Sequence, residues 1–266
     1  MSTEKHLAGR VAVVTGASLG IGRSTAIALG RCGARVVVNY RSHADAAEEV
    51  VDEIKRQGSE AMAVQADVAE QGAVEEMFGK CRSHFGEVNI AVSNAAYSDR
   101  EPFVTADMDG FRRTVDVTMW GAFHLLRAAA QQMVDQETPG RVVIVSSPLA
   151  FVAFPNSMAY NMSKAALEQM VKTAALELAP HRISVNSIQP GWIDTPGERK
   201  FASEEELEVG AKDIPVGRLG TPEEIAEAIL FLCDHQHEYL TGATLLMDGG
   251  ITLPWWANRS NQPGTD

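Results

Sequence analysis

Apolar residues along this chain fall into two arrangements that take turns. Short, mostly apolar runs at 11–15, 35–40, 61–65, 89–93, 141–147, 182–188 and 243–247 have the length of strands. They show little alternation with polar residues, as expected of strands covered on both faces. Between them lie longer segments with helical spacing, ending near 31 and spanning 44–57, 71–85, 108–134, 160–179 and 222–233, the last capped by Thr221. Strand and helix alternate from start to finish, which predicts an α/β fold with a parallel sheet and helices on both faces. Residues 197–216 are rich in Glu and irregular, and read as a lid. No repeat, linker or break in composition divides the chain, so one domain over 1–266 is predicted, with a tail from about 251.

The segments 108–134 and 160–179 are apolar around most of their circumference and carry small residues such as Ala165, Ala166, Ala174 and Ala175. A helix of that kind needs cover on both sides, here the sheet and a second subunit.

Composition adds mainly exclusions. With 266 residues, 45% of them apolar, the chain is long enough for a sizeable core. A formal charge of −12 makes nucleic acid and anionic membrane poor partners. Three scattered cysteines, Cys32, Cys81 and Cys233, give no disulfide framework and suit a reducing compartment. The N-terminus has no apolar run, and the longest uncharged stretch, 142–163, is broken by Ser, Pro and Asn. A soluble, cytoplasmic protein is expected. The His235/His237 and Cys81/His84 pairs lack further ligands, so no metal site is predicted.

The candidate chemistry gathers at Tyr160, Lys164 and Ser147. On a helix Tyr160 and Lys164 share a face one turn apart. A nearby cation favours the phenolate, so Lys164 is expected to pull the phenol's pKa from ~10 toward the working range. Ser147 ends a buried strand, where its hydroxyl can bond the oxygen of a substrate carbonyl or alcohol. Together they suit proton transfer coupled to hydride transfer.

A cofactor end is legible as well. Gly16, Ser18, Leu19, Gly20, Ile21 and Gly22 lie between the first strand and first helix in a Gly-x-x-x-Gly-x-Gly spacing. Glycines there let the backbone approach a pyrophosphate at a helix N-terminus. The adenosine ribose should fall at Tyr40, Arg41 and Ser42, which offer no carboxylate for a 2′-hydroxyl. Arg41 and Ser42 suit a 2′-phosphate, so NADP is expected ahead of NAD; loop solvation is the alternative for Arg41. Asp67 and Val68 are placed near the adenine, although Asp67, with Glu70 three residues on, fits a plain helix cap equally. Asn94, Ala95 and Ala96 after the fourth strand, and Pro190, Gly191, Ile193 and Thr195 after the sixth, fall at the same sheet edge.

These residues together resemble the short-chain dehydrogenase/reductase family from 10 to 250, with Asn186 and Asp248-Gly249-Gly250 as further marks. Within it the chain is most similar to the bacterial glucose 1-dehydrogenases, on 36–42, 193–196 and 249–253. The resemblance implies a seven-stranded Rossmann sheet, a homotetramer, and Tyr160 as acid/base. It further implies Lys164 on the nicotinamide ribose, Ser147 on the substrate oxygen, and Thr195 near the carboxamide. Two positions depart from the family pattern: Ala96 stands for a glycine, and Thr118 for the catalytic asparagine.

Three functions compete. The first is NAD(P)-dependent oxidation of a small-molecule sugar or polyol hydroxyl, with Trp192, Trp255 and Trp256 as indole faces for sugar rings; core packing is the alternative for the three. The second is a 3-oxoacyl carrier-protein reductase, which should present basic residues to an acidic carrier; the lid carries Glu204, Glu205, Glu206 and Glu208 instead. The third is a cofactor-binding regulatory protein with little catalysis, suggested by Thr118 and Ala96.

Overall fold

The computed structural model describes residues 5–254, so Trp255, Trp256 and the rest of the tail lie outside the described residues. Strands β1 (Val11–Val14), β2 (Arg35–Tyr40), β3 (Ala61–Gln65), β4 (Ile90–Ser93), β5 (Gly140–Val145), β6 (Ile183–Pro190) and β7 (Thr244–Met247) form one sheet. Their order is β3-β2-β1-β4-β5-β6-β7, with every neighbouring pair parallel. Helices α1 (Gly20–Arg31), α2 (Ala44–Arg56), α3 (Gln71–Phe85), α4 (Met108–Val115), α5 (Gly121–Asp135), α6 (Met158–Leu178), α7 (Glu204–Ala211) and α8 (Pro222–Cys233) make the connections. The single-domain α/β fold with a parallel sheet is as the pattern predicts.

Alternate residues of a strand face opposite sides of the sheet. Ala12 and Val14 join the core under α1, α2 and α8. Val11 and Val13 join the core under α3, α5 and α6. Because both faces are covered, strand positions are apolar on both, which is why polar alternation is missing from the sequence.

Two segments differ from their expected form. The helical path over 108–134 is interrupted by a π turn, Asp116–Trp120, between α4 and α5. A π turn widens the helix by one residue and is common at functional sites. Here it coincides with Thr118 reaching the backbone of Tyr97, and with Gly121 pressed so closely on Val68 that a Cβ would overlap the valine. A uniform 3.6-residue pattern cannot register such an insertion. The lid at 197–216 is less irregular than expected. It holds α7, opened by a capping box in which Ser203 Oγ accepts from Glu206 N–H at 3.3 Å and Glu206 Oε2 from Ser203 N–H at 2.8 Å. Ser-x-x-Glu is the sequence signature of that box.

The strand order reverses between β1 and β4, leaving a crevice beyond their C-terminal ends. Open α/β sheets bind ligands at such a point.

Candidate active site

The crevice is framed by the turn after β1. Gly16 and Gly20 take the left-handed conformation, with φ of 59° and 54°. A Cβ at Gly22 would overlap the Gly16 carbonyl and the Asn94 amide. Three polar side chains hold this turn. Asn39 is 2% exposed, and its Oδ1 accepts from Gly16 N–H while Nδ2 donates to the Val64 and Ala66 carbonyls. Thr15 Oγ1 accepts from the N–H groups of Asn94 and Ala95. Asn94 Nδ2 returns two bonds, to the carbonyls of Thr15 and Gly16. Neither Asn39 nor Thr15 carried a role in the sequence reading; the signal was a lone asparagine in an otherwise apolar strand.

Helix α1 opens at Gly20 behind Leu19, which offers no side-chain cap, and has no acidic residue in its first turn. Its free N–H groups and the glycine cradle fit the pyrophosphate of a dinucleotide. Thr195 brings the β6 loop to this turn, since a Cβ on Gly20 would sit 3.3 Å from Thr195 Cγ2. Gly191 donates its N–H to the Met247 carbonyl, and the bridge from Ile193 to Gly220 fixes the loop from below.

At the adenosine end Arg41 and Ser42 are exposed, and Arg41 makes no ion pair among the described residues. Asp67 does not cap α3, whose N-cap is Glu70. Its Oδ1 accepts from Ala69 N–H, and its Oδ2 pairs with Arg113 at 2.6 Å. Burial raises the Asp67 pKa, but those bonds and the fields of Arg113 and Arg41 outweigh it, leaving the carboxyl below its usual range. The Val68 side chain is buried beneath α5 and its carbonyl meets the His124 ring, so that side chain serves packing. The Ala96 methyl is exposed.

Ser147 lies just beyond β5, close enough to Tyr160 on α6 for its hydroxyl to favour the phenolate. Its Oγ also accepts from Leu149 N–H at 3.2 Å. Lys164 is 2% exposed, donates from Nζ to the Val145 carbonyl at 2.7 Å, and sits 5.3 Å from the centre of the Tyr160 ring. The proximity of the three is as expected; their electrostatics are not. Burial pushes the Tyr160 phenol up to about 12, with the negative charge of Glu198 adding to the rise. The Ser147 hydroxyl and the Arg100 charge work against it. Burial pulls the Lys164 ammonium down to about 7, and Glu168 one turn on only partly restores it. Lys164 therefore does not lower the phenol as the spacing alone implies, because both groups are desolvated together.

A model of the enoyl-(acyl carrier protein) reductase family matches residues 16–252. The 3beta-hydroxysteroid dehydrogenase 1 of Eggerthella lenta is 38% identical, over 93% of this chain and 95% of its own length. An L-rhamnose 1-dehydrogenase (NAD(P)(+)) from a Sphingomonas species is 39% identical over 93% of this chain and 98% of its own. Glucose 1-dehydrogenase 2 of Bacillus subtilis is 35% identical over 94% and 97%. The crystal structure of a short-chain type dehydrogenase/reductase from Mycobacterium marinum superposes with a TM-score of 0.89 at 35% identity, covering 95% of this chain and 98% of that one.

Thr118 sits in the π turn, 1% exposed, with its hydroxyl committed in both directions. It accepts from Tyr97 N–H at 3.0 Å and donates to the Tyr97 carbonyl at 2.8 Å. That leaves little for a substrate or a relay water. Thr118→Val keeps the shape but strands both Tyr97 groups, and denaturant melts should show a loss of about 1–3 kcal/mol that Thr118→Ser recovers. Turnover of Thr118→Val should fall by less than about tenfold, or ~1.4 kcal/mol in the barrier. A folded Thr118→Val protein as inactive as Tyr160→Phe would show that the hydroxyl itself serves in the chemistry.

Proposed function

This chain belongs to the short-chain dehydrogenase/reductase family, and from that premise we propose that it oxidises a neutral sugar or polyol with an NAD(P) cofactor, reversibly. It is an oxidoreductase, of a family that uses NAD(P) nucleotides and acts on small molecules. Its relatives are named dehydrogenases and reductases, which leaves the regulatory alternative without support. The observation that carries the reading is the Ser147–Tyr160 pair over a buried Lys164, at the same sheet edge as the glycine cradle.

In the proposed reaction the substrate C–H gives up a hydride and its O–H a proton. Ser147 orients the substrate oxygen, and deprotonated Tyr160 accepts the proton. When bound, the oxidised nicotinamide supplies the hydride acceptor and a positive charge that favours the phenolate. Lys164 spends one N–H on Val145 and keeps two for the nicotinamide ribose. The glycine turn holds the pyrophosphate, Asp67 and Val68 line the adenine, Thr195 with Pro190, Gly191 and Ile193 flanks the nicotinamide, and Asn94, Ala95 and Ala96 back it.

A sugar is favoured by Trp192 at the mouth and by the substrates named for two relatives. An acidic carrier protein is disfavoured: Glu204, Glu205, Glu206 and Glu208 are exposed on the lid, while Arg199 is consumed by Asp194 and Glu204. NADP is preferred through Arg41 and Ser42. The protein acts in the cytoplasm as one domain. The outer faces of α5 and α6 expose Phe123, Met162 and Leu176, the last at 80%, and a homotetramer with D₂ symmetry covers them.

Tyr160→Phe should retain cofactor affinity within a few-fold and lose roughly 10²-fold or more in turnover. Steady-state assays of sugars, polyols and acyl thioesters with both cofactors check this; a loss under tenfold removes the assigned role. Arg41→Ala should weaken NADP by about 1.5–3 kcal/mol and NAD far less. Equal weakening of the two would free Arg41 from the 2′-phosphate. Light scattering at micromolar protein should give the mass of four chains, and a monomer mass would refute the assembly.

A further inference from the structure

Three loops converge on one carboxylate at the substrate mouth. Glu198 opens the 3₁₀ turn Glu198–Lys200 beyond the β6 loop. Its Oε2 accepts from Trp192 Nε1 at 3.2 Å and pairs with Arg100 Nη2 at 3.5 Å. Its Oε1 forms no hydrogen bond among the described residues, and the side chain is 26% exposed. Arg100, from the loop after β4, stacks on the Phe201 ring at 3.8 Å and lies 5.9 Å from that of Phe154, in the loop after β5. The Phe154 carbonyl in turn accepts from Asn161, the residue next to Tyr160. Trp192 is seated against α7, where a Cβ on Gly210 would overlap its indole. The carboxylate is thus fixed through one oxygen and open at the other. The Arg100–Phe154–Asn161 contacts tie it to the turn of α6 that carries Tyr160, on whose phenol its charge acts.

A fixed acceptor at the mouth of the site discriminates by chemistry. A vicinal diol carries a second O–H for it, whereas a simple alcohol does not. A sugar acid or sugar phosphate brings a like charge. Resting on the sugar or polyol reading above, we propose that Glu198 is the specificity-determining residue of the mouth. Its free oxygen accepts the substrate hydroxyl adjacent to the one that Tyr160 deprotonates. Arg100 and Trp192 are positioning residues that aim it.

The groups that face Tyr160 are Ser147, Glu198, Arg100 and Lys164. Of these Glu198 alone is anionic, so removing its charge lowers the pH at which the phenol ionises.

The test compares wild type, Glu198→Gln and Glu198→Ala on an aldose and its 2-deoxy analogue, such as D-glucose and 2-deoxy-D-glucose, with kcat and KM separated. Wild type should prefer the aldose by roughly tenfold or more, chiefly in KM, and Glu198→Ala should lose that preference. Ultraviolet titration of tyrosinate in the NADP-loaded proteins should move down by roughly half a pH unit or more in Glu198→Gln. A wild type that oxidises no neutral diol overturns the sugar reading and this inference with it. A wild type that does, with its preference intact in Glu198→Ala, overturns this inference alone. An unmoved tyrosinate titration in Glu198→Gln also overturns it, by taking Glu198 away from Tyr160.

Discussion

The closed hydrogen-bond set of Thr15, Asn39 and Asn94 around the first glycine turn is the constraint on which the catalytic edge depends. It joins the ends of β1, β2, β3 and β4 where the strand order reverses. Each of these polar groups is buried or half-buried, and an unpaired one there costs about 1–3 kcal/mol. They are affordable only as a complete set. The turn can consequently have one conformation, with Gly16 left-handed and Gly22 tight against Asn94. The β6 loop is registered against it where Thr195 meets Gly20.

The catalytic pair obeys a different balance. Lys164 is buried at the end of β5 and anchored to the Val145 carbonyl, so its position is secure and its charge is expensive. Tyr160 suffers the same desolvation with the opposite sign. Two groups that would help each other in water are both driven toward neutrality in the protein, phenol with ammonium partly deprotonated near pH 7. Positive charge brought to the site would favour ionised Tyr160, and an oxidised nicotinamide held there would supply it.

Much of this was legible in the sequence, and what was not shares a physical cause. The strands, the glycine turn and the Tyr160–Lys164 register are local patterns: continuous apolar runs, a fixed glycine spacing and a spacing of four. Helix α7 was missed although Ser203 and Glu206 carry the local signature of its capping box. Asn39 was visible as a polar residue among valines, yet its partners come from β3 and from the first turn, which no local pattern names. The Arg113–Asp67 and Arg100–Glu198 pairs are likewise made only by the folded topology. The sign of the Tyr160 shift was misread because spacing reveals a neighbour's charge but not the burial that opposes it.

The π turn shows how one residue type can be exchanged at such a site. Thr118 has one donor and two acceptor sites on a short, β-branched side chain, less than an asparagine offers. It spends them on both backbone groups of Tyr97. That anchors the loop leading to Arg100, which carries the cation that steadies Glu198. Thr118 therefore secures the loop after β4 on one side of the π turn, while on the other Gly121 leaves room for Val68, which a Cβ there would overlap. Thr118 thus serves the architecture of the loop that carries Arg100, and in the proposed reaction proton transfer falls to Tyr160 with Ser147.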